Sequence, residues 1–199
     1  MRAYLLPLSC AMALGAGPAA LAESPVLREA MTLCVANHAE PAKVLAAADT
    51  AGWRQPSVDV LGLVPGPNWR VKAIGGGPAS FFLTVKEKTN DSNVGKLRTR
   101  TCMVSTDAPG SSGLPEAVQA LMGRPPQQKA GTVWVWDYEE PPTGGRHFIA
   151  ADDNKAFAQA LTRDSVIVMS VDAKPIQPSV LYPESSVLGA DEGAAAKPQ

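Results

Sequence analysis

The chain has 199 residues, an apolar fraction of 45% and a formal net charge of −1. That length and apolar content suit one globular domain with a single core. The near-neutral balance excludes nonspecific binding to nucleic acid or to an anionic membrane, since both need a clear positive excess.

Residues 1–22 read as an export signal. Arg2 gives a positive start, Leu5 to Leu14 an apolar run too short to span a bilayer, and Ala20-Leu21-Ala22 a small-x-small cleavage site before Glu23. Cleavage after Ala22 places the mature chain in the periplasm or outside the cell. Losing Arg2 from 18 basic residues leaves 17 against 19 acidic ones. Cys10 sits too early for a lipidated cysteine. No second run of eighteen apolar residues follows, so no transmembrane segment is expected in the mature chain.

Two cysteines remain after the leader, Cys34 and Cys102, an even pair in an oxidising space. A disulfide between them is the expectation, set against two buried thiols or one reactive thiol. Closing so long a loop stabilises a fold by roughly 4 kcal/mol on chain-entropy grounds. The spacing of these cysteines and the two histidines matches no compact zinc signature, so no metal or other cofactor is expected.

In chain order, Ser24-Pro25 opens a helix as hydroxyl N-cap and first-turn proline. Leu27, Ala30, Met31, Cys34, Val35 and His38 then fall on one helical face. Pro41 starts a second, alanine-rich helix that Gly52 ends, with Trp53 folding back onto Ala48. The two form an N-terminal helical hairpin. Val58–Val64, Trp69–Ile74 and the stretch alternating at Phe81, Leu83 and Val85 read as strands. Asn90–Asn93 turns the chain into a further strand, Lys96–Ser105, that carries Arg98, Arg100, Cys102 and Val104 on one face. A bridge from Cys34 to Cys102 would staple helix to sheet. Two arginines sharing the cysteine's face then require a bulge, or a face buried at only one end.

Leu114–Met122 reads as a short helix and Thr132–Tyr138 as a strand, with a brief strand near His147 to Ala150. Asp152 or Asp153 caps a helix running to about Arg163, and Ser165–Val171 is the last expected strand. The proline- and serine-rich remainder leads to an expected division into a leader (1–22), one globular domain (23–178) and a disordered tail (179–199). Consecutive strands with few intervening helices indicate an α+β fold: an antiparallel or mixed sheet, the N-terminal hairpin and one or two further helices packed on one side.

Few residues carry chemistry. Gly75-Gly76-Gly77-Pro78 is followed by a strand, which suits a hairpin connection rather than a phosphate loop. Cys34 and His38 at i, i+4 would suit a thiolate nucleophile, but a disulfide would silence it. Lys96, Arg98 and Arg100, with Lys86 and Lys88 on the strand before, form a candidate basic face for a small anionic ligand. Trp134, Trp136 and Tyr138 alternate on one strand face, as a stacking surface or as core. Adjacent Asp152 and Asp153 suit a cap better than paired catalytic carboxylates.

Helical Cys34, the Gly52-Trp53 helix end, Arg100-Thr101-Cys102 and the helix Pro115-Glu116-Ala117-Val118 resemble a loose group of small exported proteobacterial proteins. That resemblance implies an exported setting and supplies no catalytic residues. The leading functional expectation is a monomeric, noncatalytic binding protein acting on an envelope partner or a small anionic ligand through Arg98, Arg100, Trp134 and Trp136. The alternative is a small periplasmic hydrolase or transferase, against which stand the absent Gly-x-Ser-x-Gly elbow and the lack of clustered His, Asp and Glu. A thiol redox protein is disfavoured because no Cys-x-x-Cys occurs.

Overall fold

The computed structural model describes residues 24–57, 66–108, 113–141, 144–163, 165–175 and 177–188. The expected leader, the expected strand Val58–Val64 and residues 189–199 lie outside these.

Pro25 opens α1 (Pro25–Ala30), where its preset φ fits and its missing N–H is not needed. Ser24 stands at the N-cap without a capping side-chain bond. The helix then widens into a π turn over Met31–Val35. The wider turn shifts the buried stripe, so Leu27 and Ala30 are followed by Leu33 and Cys34. Met31 and Val35 are left half-buried, and His38 is exposed rather than inward. Residues His38 and Ala39 both take positive φ, at 50° and 48°. Ala39 N–H donates to the Cys34 carbonyl at 2.9 Å, which closes the turn.

Next comes α2 (Pro41–Thr50), with Val44 and Ala48 inward. Gly52 takes φ +81°, and Trp53 N–H donates to the Ala48 carbonyl at 3.0 Å, a glycine-terminated helix end. Leu114–Met122 forms α3 and Asn154–Arg163 forms α4. Asp153 caps the latter, its Oδ1 accepting from Ala156 N–H at 2.8 Å.

Among the described residues, eight strands make one antiparallel sheet, which with the four α-helices is an α+β fold. They are β1 (Trp69–Ala73), β2 (Ser80–Ser92), β3 (Gly95–Thr106), β4 (Gln128–Ala130), β5 (Val133–Glu139), β6 (His147–Phe148), β7 (Val166–Asp172) and β8 (Ser179–Val187). Their spatial order is β1-β2-β3-β8-β7-β5-β4, with β6 paired to β5. The triple glycine connects β1 to β2. β2 continues through the expected turn at Asn90–Asn93 as far as Ser92, so the β2–β3 hairpin turns at Asn93-Val94.

The largest departure from expectation is β8. Residues 179–187, assigned to a tail, lie in the middle of the sheet between β3 and β7. Val180 and Tyr182 are buried on one face of it. Pro183 disguises the strand because it has no N–H for a ladder. Its pairing with β3 is unbroken, whereas pairing with β7 lapses between Ile167↔Glu184 and Ser170↔Leu181, at Tyr182 and Pro183. One interrupted ladder accommodates the proline.

Helices cover both faces of the sheet, not one. Side chains of α1, the π turn, α2 and α3 (Leu27, Cys34, Val44, Leu114, Val118) share a core with Leu83, Val85, Cys102, Val104 and Tyr182. On the reverse face, Ala160 and Leu161 of α4 pack with Val166, Leu97, Val168 and Val187. The disulfide Cys34–Cys102 joins the π turn to β3. Arg98 and Arg100 share the face of Cys102, and no bulge interrupts the β2–β3 register. The face is buried only at its Cys102 end.

Candidate functional site

Residues paired across neighbouring strands share a sheet face, so register sorts the side chains into rows. The face under α1, α2 and α3 begins with apolar rows: Leu83 opposite Val104 opposite Val180, then Val85 opposite Cys102 opposite Tyr182. The next row changes character. Glu87, Arg100, Glu184, Ile167, Tyr138 and Phe148 follow one another without a break across six strands. Polar groups therefore meet where the helices stop.

A cleft of about 630 Å³ opens at this end, lined by His38, Met122, Glu140, Pro141, Arg146 and Phe148 among others. A smaller recess of about 170 Å³ is lined by His38, Glu140, Ser165, Ile167 and Glu184. His38 and Glu140 belong to both, so the recess adjoins the cleft. The left-handed turn after the π turn presents His38, whose side chain is 65% exposed. A non-glycine residue at positive φ is disfavoured and clusters at functional sites.

Glu184 is the unusual group. It is only 9% exposed, and its Oε2 has no hydrogen-bond partner. The nearest basic side chain is His38, whose Nδ1 lies 3.4 Å away. Two positions back on the same strand face, the Tyr182 hydroxyl is also buried without a partner. Burial pushes that hydroxyl's pKa far up, helped by the nearby Tyr138, Glu184 and Glu140. The Tyr138 hydroxyl is raised for the same first reason, burial.

Other carboxylates at this end each have a cation. Arg100 Nε donates to Glu87 Oε2 at 2.9 Å. Arg146 Nε donates to Glu140 Oε1 at 3.1 Å and its Nη1 to the Leu121 carbonyl at 2.9 Å. Lys43 pairs with Glu40 at 2.7 Å, and its hydrogen bond holds the Glu40 carboxyl below its ordinary value, with Arg100 and Arg98 adding to the effect.

The residues singled out in the sequence are thus partly dispersed. Arg98 and Arg100 do share a face, but Glu87 and Glu184 stand beside Arg100, and Arg98 reaches Ser186 Oγ at 3.4 Å. Lys86 and Lys88 pair with Thr101 and Thr99, which puts them on the opposite face. No joint basic patch forms. Trp136 is fully buried, its Nε1 donating to the Arg124 carbonyl at 3.1 Å, so it is core and offers no contact surface. Trp134 is half-buried under Lys129, whose Nζ lies 3.9 Å from its ring centre. Cys34 is bonded to Cys102, which removes the thiolate reading. His147 faces Glu139 at 3.7 Å, while Arg163 holds that carboxylate at 3.0 and 3.2 Å.

Glu184, Glu140, Arg146 and Ser165 were not foreseen. Glu184 lay in the presumed tail, and the others carry no local motif. Among the described residues, no three His, Cys, Asp or Glu side chains converge to hold a metal ion. Comparison with known protein families, with curated proteins and with solved structures found no match.

Proposed function

We propose that this is an exported, noncatalytic binding protein whose ligand is a small molecule, or a small part of an envelope partner, held in the cleft beside His38 and Arg146. The observation that carries the reading is the Glu184 carboxylate, buried at the cleft's inner recess with an unsatisfied oxygen. Burying such a group without a donor costs free energy that a well-ordered fold seldom leaves uncompensated. A ligand group offering an N–H or O–H supplies the compensation. The cleft volume lies within the usual range for small-molecule sites, and Met122, Pro141 and Phe148 offer an apolar wall.

A fragment screen followed by two-dimensional NMR tests this. Fragments should perturb His38, Arg146 and Phe148 signals together. A screen whose binders all map elsewhere, or that finds none, removes the reading. Export is supported by the disulfide, which persists in oxidising compartments. Mass spectrometry of material from the native host should find a chain starting at Glu23 with no free thiol.

A second reading, a small hydrolase, draws on one observation. His38 presents Nδ1 to Glu184, which leaves Nε2 for a proton, and Ser165 lines the same recess. That is the logic of a nucleophile, a base and an orienting carboxylate. Turnover of p-nitrophenyl esters that disappears in Ser165→Ala and in His38→Gln would establish it. Equal rates in all three proteins would dismiss it.

A further inference from the structure

We infer that the cleft selects a cation: a ligand whose primary ammonium or guanidinium group enters the recess and pairs with Glu184. The inference rests on the binding reading above and names its ligand class. Among the described residues, four carboxylates gather at this end of the sheet, and three are matched. Glu87 has Arg100, Glu140 has Arg146, and Glu40 has Lys43. Glu184 is the most deeply buried of the four and has only an imidazole, 3.4 Å from Oε2 and without hydrogen-bond alignment.

Among the described residues, the nearby guanidinium groups are engaged elsewhere. Arg100 stands opposite Glu184 on β3, yet its Nε is bonded to Glu87. Arg98, two positions along, reaches Ser186. Arg146 is held by Glu140 and by the Leu121 carbonyl, with its guanidinium 5.6 Å from the Tyr138 ring centre. An anionic ligand would meet Glu184 and Glu140 in the recess and be repelled by both. A neutral donor would satisfy the geometry and leave the charge uncompensated. A cation meets both needs, and a charge-assisted bond is about twice as strong as a neutral one.

Size divides the ligand into two parts. The recess of about 170 Å³ takes a head group, and the adjoining cleft of about 630 Å³ takes an apolar body against Met122 and Phe148. His38 lies at the junction, so its ring has to swing aside as the head group enters. Its side chain, 65% exposed, has solvent to swing into.

The test uses matched benzyl, phenethyl and n-hexyl compounds, each as ammonium, guanidinium, alcohol and carboxylate. Binding is measured by calorimetry and two-dimensional NMR at pH 8, above the ordinary imidazole range. At least one cationic member should bind at least tenfold tighter than its alcohol, with shifts at His38, Arg146 and Ile167, and its carboxylate should not bind. Glu184→Gln should erase the preference. Failure of every cationic member, parity between cation and alcohol, or an unchanged preference in Glu184→Gln would each overturn the inference. If Glu184→Gln does not fold, the cation–alcohol comparison on the parent protein decides alone. Neutral or anionic fragments that bind in the cleft at least as tightly as every cationic member would overturn this inference and leave the binding reading standing, whereas a cleft that takes no fragment ends both.

Discussion

Glu184 faces Arg100 directly across the β3–β8 ladder, yet the Arg100 guanidinium donates to Glu87 on its other side. A cation between two carboxylates is a choice, and here the more exposed carboxylate takes it. Solvent access lowers the cost of holding Arg100 at Glu87, and Glu184 is left for another donor. Glu87→Gln removes the competing charge. Arg100 should then turn to Glu184 and occupy the recess. Because the Arg100–Glu87 pair is partly exposed, the unfolding free energy should change by less than about 1 kcal/mol. Binding of the cationic probes should weaken several-fold, as calorimetry would show. Unchanged affinity would mean that Arg100 does not compete for Glu184.

The disulfide ties the polar end of the sheet to the helices. Cys34 lies four residues before His38, and Cys102 two residues after Arg100, so one covalent link anchors both sides of the recess. Replacing both cysteines with alanine should lower the unfolding free energy by about 2–5 kcal/mol, given a loop spanning 68 residues. Urea unfolding measures it. NMR signals of His38 and Ala39 should broaden in the variant if the link also steadies the left-handed turn. A midpoint equal to the parent's would show that packing around Leu33 and Val104 suffices.

Tyr182 provides a test of β8. It stands opposite Cys102 and is buried in the same core, but its hydroxyl has no partner. Removing a polar atom that makes no bond costs nothing and relieves desolvation, so Tyr182→Phe should match the parent or exceed it by about 1–2 kcal/mol. Tyr182→Ala, which also removes the ring, should cost about 3–5 kcal/mol. A chain truncated after Pro178 should fail to fold, since β3 and β7 would lose the strand between them. A native-like NMR spectrum from that truncation would contradict the sheet order.

How far these features were legible depended on the range of the signal. The Gly52-Trp53 helix end, a cap at Asp152 or Asp153 (Asp153 in the structure) and the alternation at Phe81, Leu83 and Val85 are local and appear in the structure. The pairing of Cys34 with Cys102 was legible because only two cysteines lie beyond residue 22. The strand β8 was not, since Pro183 and neighbouring serines resemble a tail when their partners are unseen. Sheet register decided the basic face: Lys86 and Glu87 are adjacent in sequence, and only the pairing of Glu87 with Arg100 tells which of them shares the arginine's face. The site was hidden for the same reason. His38, Glu140, Ser165 and Glu184 come from four separate segments, and no spacing announces them.

Asp137 gives the pH prediction. It lies on the reverse face opposite Val168 and is 7% exposed, and burial raises its carboxyl pKa above the ordinary 3.8. A raised folded value means that the unfolded chain gives up this proton at lower pH than the native chain does. Between the two values the native state binds more protons, so its stability falls as pH rises through that window and stays lowered above it. Asp137→Asn abolishes the titration with little change in shape. The variant should therefore be more stable than the parent at pH 7, with the gain shrinking below the ordinary carboxylate value. Comparing the two proteins at each pH cancels the other carboxylates. Among these is Asp49, which a hydrogen bond from Arg70 holds below its ordinary value, so that it loses stabilisation as pH falls. Urea midpoints at pH 7 and pH 3.5 make the measurement. A gain that is the same at both would show that Asp137 acts through packing and not through its charge.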